Sequence, residues 1–81
     1  MEIVWDEPKR ISNLAKHDLD FADLTLEFFL DAHVVSSHSG RYKAISVLDD
    51  RHIVVVFSQL GSEAISILSM RTANKRERIA P

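Results

Sequence analysis

A continuous apolar run, Ile53 to Phe57, constrains the fold of this chain more than any other segment. The run is far too short to span a bilayer, which needs about 20 residues. An unbroken apolar run of this length is typical of a central strand that is covered on both faces. The chain has 81 residues and no cysteine, so we expect one domain over residues 1–81, without disulfides or thiolate zinc sites.

Shorter strand-like segments lie on both sides of this run. They are the pair Val34-Val35, the segment Tyr42 to Leu48, the segment Ala64 to Met70, and a short edge strand at Ile3 to Trp5. Asp49-Asp50 and Gly61-Ser62 are turn signals between them. The pattern predicts a meander of antiparallel strands.

Helical signals precede and follow the strands. Asp6 is a good N-cap for a helix over residues 7–16, which ends at His17 and Asp18. Asp20 caps a second helix with a wide apolar face, and Asp23 three residues on resembles a capping box. Thr72 is the expected cap of a short last helix over residues 73–80. We therefore predict an α+β fold, with two N-terminal helices packed on an antiparallel sheet of about four strands.

The net charge of −2 hides an uneven distribution of charge along the chain. The segment from Asp18 to Asp31 is acidic, whereas the C-terminal end carries Arg71, Lys75, Arg76 and Arg78. A local basic patch of this kind could bind nucleic acid, and a solvated helix that merely carries Lys and Arg is the alternative. Asp6 and Glu7 stand where a signal peptide would need apolar residues, so we expect a cytoplasmic protein that does not enter the membrane.

His17 is the first candidate for catalysis. An imidazole can take up and release a proton near neutrality, which suits a general base or acid. The adjacent Lys16 would favour the neutral form that a base requires. The alternative is that His17 caps the C-terminal end of the first helix, where free carbonyls need donors.

Arg71 and Arg78 are the second candidates. Cleavage of a bound nucleic acid without a metal ion would need a base, an acid and cations that stabilise the charge on the phosphorane. Arginine suits the last role because its planar fork can hold two phosphate oxygens. Glu77 could act as the base, or it could simply pair with a neighbouring arginine on the helix.

Further residues could contact RNA phosphates. Lys9, Asn13 and Lys16 lie on one face of the first helix, and Lys75 and Arg76 lie on the last one. The lysine-bearing face could equally be the exposed side of an amphipathic helix. Trp5 could stack on a base or anchor the first helix.

No metal or cofactor is predicted. His33, His38 and His52 lack the spacing of metal ligands. Nothing in the chain has the pattern of a phosphate-cradling glycine loop or a nucleophile elbow.

Two motifs give the chain a family resemblance. The first half has the spacing W-D-x-x-K-x-x-x-N-x-x-K-H-x-x-x-F, from Trp5 to Phe21, and the second has S-x-R-x-A-x-x-x-E-R, from Ser69 to Arg78. Together they resemble the BrnT family of bacterial toxins, the ribonuclease half of a toxin–antitoxin pair with a RelE-like fold. The resemblance covers essentially the whole chain.

The resemblance implies a metal-independent endoribonuclease that inhibits translation. It places Arg71 and Arg78 near the substrate, and His17 belongs to the Lys-His pair of the family pattern. It also implies a BrnA-like antitoxin with a ribbon-helix-helix DNA-binding part, through which alone the toxin would meet operator DNA.

Two positions depart from the family pattern. Ser66 stands where relatives often carry a basic residue, and Thr72 follows Arg71 where relatives tend to have a second cation. Fewer cations weaken phosphate binding, so a non-catalytic antitoxin-binding module, acting as a corepressor, is the alternative function. Gyrase poisoning, as in the related ParE branch, rests on analogy of fold alone.

Overall fold

The computed structural model describes residues 1–79, and the side chains of residues 1–78. The elements in chain order are β1 (Glu2–Trp5), α1 (Glu7–His17), a 3₁₀ turn (Phe21–Asp23), α2 (Leu26–Leu30), β2 (His33–Ser36), β3 (Arg41–Leu48), β4 (Arg51–Leu60), β5 (Ala64–Thr72) and α3 (Lys75–Ile79). The predicted α+β class is confirmed, with differences in the number and direction of the strands.

The described strands form a five-stranded sheet in the order β1-β5-β4-β3-β2. The three pairs from β2 to β5 are antiparallel, but β1 pairs with β5 in parallel. The prediction of an antiparallel sheet of about four strands is therefore wrong in both respects. Local turn signals reveal only hairpins, whereas a parallel pair joins segments from distant parts of the chain.

The apolar run lies in β4, the middle strand of the sheet, as predicted. Ile53, Val54 and Val55 are completely buried. Ile53 and Val55 point into the main core, where they pack with Phe21 of the 3₁₀ turn. Val54 points to the opposite face, which is covered in part by α3.

We call that opposite side of the sheet the outer face. The alternation of side chains along paired strands assigns to it Lys43, Ile45, Val47, His52, Val54, Val56, Ser69 and Arg71. The main core lies on the other side, beneath α1, the 3₁₀ turn and α2. One side of the sheet is therefore packed against the helices and the 3₁₀ turn, whereas the outer face carries charged side chains.

The predicted second helix is broken into two pieces. The Asp20 carboxylate does cap the first piece, where it accepts a hydrogen bond from the Ala22 backbone N–H at 2.9 Å. Thr25 then caps α2 by accepting from the Phe28 N–H at 3.2 Å. The capping box with Asp23 is not formed: the Asp20 carboxylate bonds to the Ala22 N–H, and the Asp23 N–H donates to the Asp20 carbonyl at 3.0 Å. The chain leaves helical geometry at Leu24, and α2 begins at Leu26.

Trp5 is a packing residue in the structure. Its ring meets Phe21 edge to face, with the ring centroids 6.4 Å apart. Its indole N–H donates to a carboxylate oxygen of Glu7 at 3.1 Å. The anchoring role proposed for this tryptophan therefore describes it better than base stacking does.

The last helix begins later than predicted. Thr72 still belongs to β5, where it pairs with Ile53, and the Ala73 N–H donates to the His52 carbonyl at 2.9 Å. Asn74 is the actual cap: its side chain accepts from the Glu77 N–H at 2.8 Å, and Glu77 accepts from the Asn74 N–H at 2.9 Å. This reciprocal pair is a capping box. The predicted end at residue 80 lies outside the described residues.

The described hairpin between β3 and β4 has the geometry that its sequence predicts. Asp49 and Asp50 both have positive φ, 49° and 65°. Two such residues in succession match the right-handed twist of the flanking strands. In residues 1–79, no helix is both long enough and apolar enough to cross a membrane.

Candidate active site

Asn13 fastens α1 to the sheet. Strand β1 ends at Trp5, opposite Ile67, and leaves the rest of β5 without a strand on that side. The Asn13 side chain takes over this role: its amide donates to the Met70 carbonyl at 2.9 Å, and its oxygen accepts from the Met70 N–H at 3.1 Å. The amide also donates to the Leu19 carbonyl at 3.3 Å.

The predicted exposed stripe is therefore wrong for Asn13. The residue is only 8% exposed, and both amide hydrogens are used within the protein. Helical spacing placed Asn13 on the same face as Lys9 and Lys16, but only the tertiary structure shows that α1 meets β5 at this point. Asn13 positions the helix and is a poor candidate for contact with RNA.

Beside this attachment, α1 and β5 form a groove of about 380 Å³, which we call the α1 groove. It is lined by Lys9, Lys16 and His17 from the helix, and by Ser69 from the strand. Both lysines are exposed, and neither forms an ion pair with a described side chain. These cations are thus available to an anion entering the groove.

His17 is half-buried in the α1 groove, at the last residue of α1. Among the described residues, its imidazole has no hydrogen-bond partner. The helix is ended instead by Asp18, in the left-handed conformation (φ 56°), whose N–H donates to the Leu14 carbonyl at 2.9 Å. The structure therefore does not support the alternative in which the His17 side chain caps the helix.

Arg71 and Glu77 form a two-pronged ion pair on the outer face. Both guanidinium Nη atoms of Arg71 donate to the Glu77 carboxylate, each at 2.8 Å. The Lys43 ammonium lies 3.9 Å from the same carboxylate. The partner of Glu77 is thus an arginine on the neighbouring strand, and not a neighbour on its own helix as expected.

This environment lowers the pKa of Glu77 from 4.5 to about 2, chiefly through the hydrogen bonds from Arg71. The same pairing raises the pKa of Arg71. A carboxylate with so low a pKa is a weak base at neutral pH. Of the two roles considered for Glu77, pairing fits the geometry better than proton abstraction.

The remaining predicted cations lie on α3. Lys75, Arg76 and Arg78 are exposed. Arg78 borders a second depression, of about 400 Å³, which we call the outer cleft. Its other lining residues are Asp31, His33, Ile45, Ser46, Val47, His52 and Glu77.

Sequence reasoning passed over His33, His52 and Lys43. The two histidines were considered only as metal ligands. They share the outer face because His33 pairs with Ile45 and His52 with Val47, two positions apart on β3. Alternation along β3 was a usable signal for Lys43, but the histidines could be located only from the register of three strands.

The outer face connects these groups. Ser69 and Arg71 lie two residues apart on β5, so their side chains share one face at a spacing of about 7 Å. Ser69 borders the α1 groove, and the partner of Arg71, Glu77, borders the outer cleft. A band of basic and imidazole groups therefore runs from the α1 groove past Arg71 to the outer cleft, and we call it the basic band.

The two departures from the family pattern have different surroundings. Ser66 is half-buried and pairs with Val4 on one side and Ser58 on the other. Thr72 is exposed, and Nη2 of Arg51 donates to its hydroxyl at 3.4 Å. A cation from β4 thus stands beside Thr72.

The described residues hold no group of three or more His, Asp and Glu side chains placed to bind a metal ion. What the basic band offers instead is cations and imidazoles. Such groups can hold phosphate oxygens and move protons.

Comparisons with known proteins agree with this geometry. A family model described as "Ribonuclease toxin, BrnT, of type II toxin-antitoxin system" matches residues 5–77. Among solved structures, the chain is similar to the crystal structure of the Brucella abortus ribonuclease toxin BrnT, with 51% identity and a TM-score of 0.87. That match covers 93% of this chain and 99% of the Brucella chain. No curated protein matches the chain. The chain belongs to the BrnT family of ribonuclease toxins of type II toxin–antitoxin systems.

Proposed function

We propose that this protein is a metal-independent endoribonuclease that cleaves RNA along the basic band and thereby inhibits translation. The observation that carries the proposal is the placement of an unpartnered imidazole, His17, in a groove with two unpaired lysines, beside the strand that presents Arg71. Anion-binding cations and a proton carrier on one surface are the requirements of metal-free RNA cleavage.

The reaction begins when a base takes the proton of a ribose 2′-hydroxyl. The 2′-oxygen then attacks the adjacent phosphorus, the bond from phosphorus to the 5′-oxygen breaks, and an acid protonates that leaving oxygen. The products are a 2′,3′-cyclic phosphate and a 5′-hydroxyl. Among the candidates, His17 is suited to proton transfer, and Arg71 is suited to the charge on the phosphorane.

The exposed cations have supporting roles in this proposal. Arg78 belongs with Arg71 at the reacting phosphate, whereas Lys9, Lys16, Lys75 and Arg76 hold the flanking backbone. The guanidinium of Arg51, which lies beside Thr72, supplies part of the positive charge that a basic residue at position 72 would have supplied. Glu77 holds Arg71 in place between turnovers, and we assign it no proton transfer.

A type II toxin has an antitoxin partner, and we propose that this one is BrnA-like, with a ribbon-helix-helix DNA-binding part. An acidic or apolar segment of the antitoxin would cover the basic band and mask the cations that meet RNA. The toxin would reach operator DNA only through this partner, and both would act in the cytoplasm.

One observation favours the alternative of a non-catalytic antitoxin-binding module. Glu77 already takes one N–H of each Nη atom of Arg71, and Ser66 and Thr72 bring no charge. A toxin-like fold in this condition would keep its antitoxin surface and act as a corepressor. Growth arrest with fragmentation of RNA, on expression without the antitoxin, separates the two functions, because of the two only the ribonuclease would cause it.

The direct test is the double variant His17→Ala/Arg71→Ala. We expect RNA cleavage by the purified protein to fall at least about 100-fold, since a proton carrier and an oxyanion stabiliser each contribute about that factor. The control is His38→Ala, which removes an imidazole at an exposed position between β2 and β3. Unchanged cleavage by a folded His17→Ala/Arg71→Ala protein would refute the assignment of these residues.

A further inference from the structure

Apart from Arg78 and Glu77, the residues that line the outer cleft have no role in the proposed cleavage. Its floor is apolar and consists of Ile45 and Val47, and Val47 is 49% exposed although it is a large aliphatic residue. Imidazoles border the floor on two sides, from His33 and His52. An apolar floor between planar rings is a surface on which a nucleobase can stack.

The charged groups of the cleft come from different elements. Asp31 lies two residues before β2, an edge strand of the sheet, and Arg78 belongs to α3, which follows β5. The cleft therefore brings a carboxylate and a guanidinium together with the apolar side chains of Ile45 and Val47.

The carboxylate of Asp31 and the guanidinium of Arg78 can both be reached by a ligand. The Asp31 carboxylate is exposed and makes neither a hydrogen bond nor an ion pair with a described side chain. Arg78 is exposed as well. The second carboxylate in the cleft, Glu77, is neutralised by Arg71 and Lys43, so it does not repel an anion beside Arg78.

We propose that the outer cleft is a nucleotide-binding subsite that selects guanine. The guanine ring lies on Ile45 and Val47, its phosphate meets Arg78, and its Watson–Crick edge meets Asp31. Guanine carries two adjacent donors on that edge, N1–H and the N2 amino group, which fit the two oxygens of a carboxylate. Adenine, cytosine and uracil each place an acceptor next to the donor, and a carboxylate repels that acceptor.

This inference rests on the proposed function, because it makes the subsite the place where the RNA is selected beside the cut. The cleft would hold a nucleotide that flanks the scissile phosphate along the basic band. The toxin would then cleave next to guanine more readily than next to the other bases. Loss of a carboxylate that makes such a bidentate contact costs about tenfold in discrimination.

The first experiment measures binding and needs no cleavage. Guanosine, adenosine, cytidine and uridine 5′-monophosphates are titrated into the ¹⁵N-labelled protein. We expect guanosine monophosphate to bind about tenfold more tightly than the others and to shift the amide signals of His33, Val47 and His52. Equal binding of all four nucleotides, or shifts only in the α1 groove, would overturn the proposal.

The variants for this titration are Asp31→Asn and its matched control Asp23→Asn, an exposed aspartate on the 3₁₀ turn that does not line the cleft. Asp31→Asn should lose the preference for guanine, because the amide places a donor against a donor, and the control should keep it. If Asp31→Asn does not fold, Val47→Glu removes the apolar floor at an exposed position and should weaken binding of guanosine monophosphate. Retention of the preference in a folded Asp31→Asn protein, or unweakened binding of guanosine monophosphate by a folded Val47→Glu protein, would overturn the proposal.

The second experiment maps the ends of RNA fragments from wild type and Asp31→Asn. Guanine at one constant position next to the cut, with about tenfold less preference in the variant, supports the subsite. Cleavage without preference for a base overturns it. If wild type cleaves no RNA, the proposed ribonuclease function fails, and the titration decides the subsite on its own.

Discussion

The two ends of the basic band are organised by opposite means. At the α1 groove, a neutral amide, Asn13, holds the helix against β5, and Lys9, Lys16 and His17 stay free of ion pairs. At α3, a carboxylate, Glu77, holds the helix against the same strand, and Arg71 is committed to that bond. An attachment made by a neutral amide leaves the neighbouring cations available to a ligand. An attachment made by an ion pair holds a cation in place and engages it.

The α1 groove and Arg71 should therefore contribute differently to RNA binding. A phosphate can enter the α1 groove without breaking a described ion pair. A phosphate that binds the edge of the guanidinium on which both Nη atoms meet Glu77 must displace at least part of that carboxylate. We therefore expect the α1 groove to contribute affinity, and Arg71 to contribute when the phosphorane carries the greatest charge.

The largest expected effect on stability comes from removing the Asn13 side chain, which attaches α1 to β5. Asn13→Ala leaves the Met70 N–H and carbonyl buried without partners, and it should lower the free energy of unfolding by about 3 kcal/mol. Urea denaturation followed by circular dichroism measures this change. Ser12→Ala, an exposed change on the same helix, should alter the stability far less, and equal losses in the two variants would contradict the role of Asn13.

Removing the ion pair between Arg71 and Glu77 should have a smaller effect on stability, and this effect should depend on pH. The folded-state pKa of Glu77, about 2, is lower than its ordinary value of 4.5. The ion pair therefore stabilises the protein fully above about pH 5, and this stability is lost as the pH falls toward 2. Glu77→Gln should cost about 1 kcal/mol at pH 7, because Arg71 is still one-third exposed and solvent screens the pair.

The measurement is a series of urea denaturation curves for wild type and Glu77→Gln between pH 7 and pH 2. The difference between the two proteins should be constant down to about pH 5 and then shrink. Glu63→Gln, at an exposed loop position, is the control and should show no such trend. A difference that grows as the pH falls would contradict the linkage.

The smallest effect is expected for the free cations of the α1 groove. Lys9→Gln/Lys16→Gln should leave folding unchanged and reduce the salt dependence of RNA binding. Each lost phosphate contact on a single strand lowers the slope of log K against log salt concentration by about 0.7. Fluorescence anisotropy with a short RNA at several salt concentrations measures the slope. An unchanged slope would remove both lysines from the RNA-contact set.

Local patterns predicted most of the elements, because their causes are local. The apolar run of β4 and the Asp49-Asp50 turn are determined by neighbouring residues. The same is true of α1, whose predicted range of residues 7–16 is one residue short of the observed helix. The errors lie where a distant segment intervenes. Thr72 was assigned to a helix cap, but pairing with Ile53 keeps it in the sheet.

The candidate site could likewise be predicted only in part from the sequence. The motif spacing identified His17, Arg71 and the surrounding cations as residues of one family pattern. It could not show that Asn13 is buried, because burial depends on which strand the helix meets. Nor could it find His33 and His52, because their common face depends on the register of three strands.

By itself the sequence determined the α+β class, the position of the central strand and the membership of the BrnT family, since each follows from residues at short or constant spacing. The tertiary structure alone decided the parallel pairing of β1 with β5, the neutral attachment of α1 and the ionic attachment of α3. These depend on contacts between residues far apart in the chain, such as Asn13 with Met70. The free energy of such contacts depends on burial, which no local spacing records.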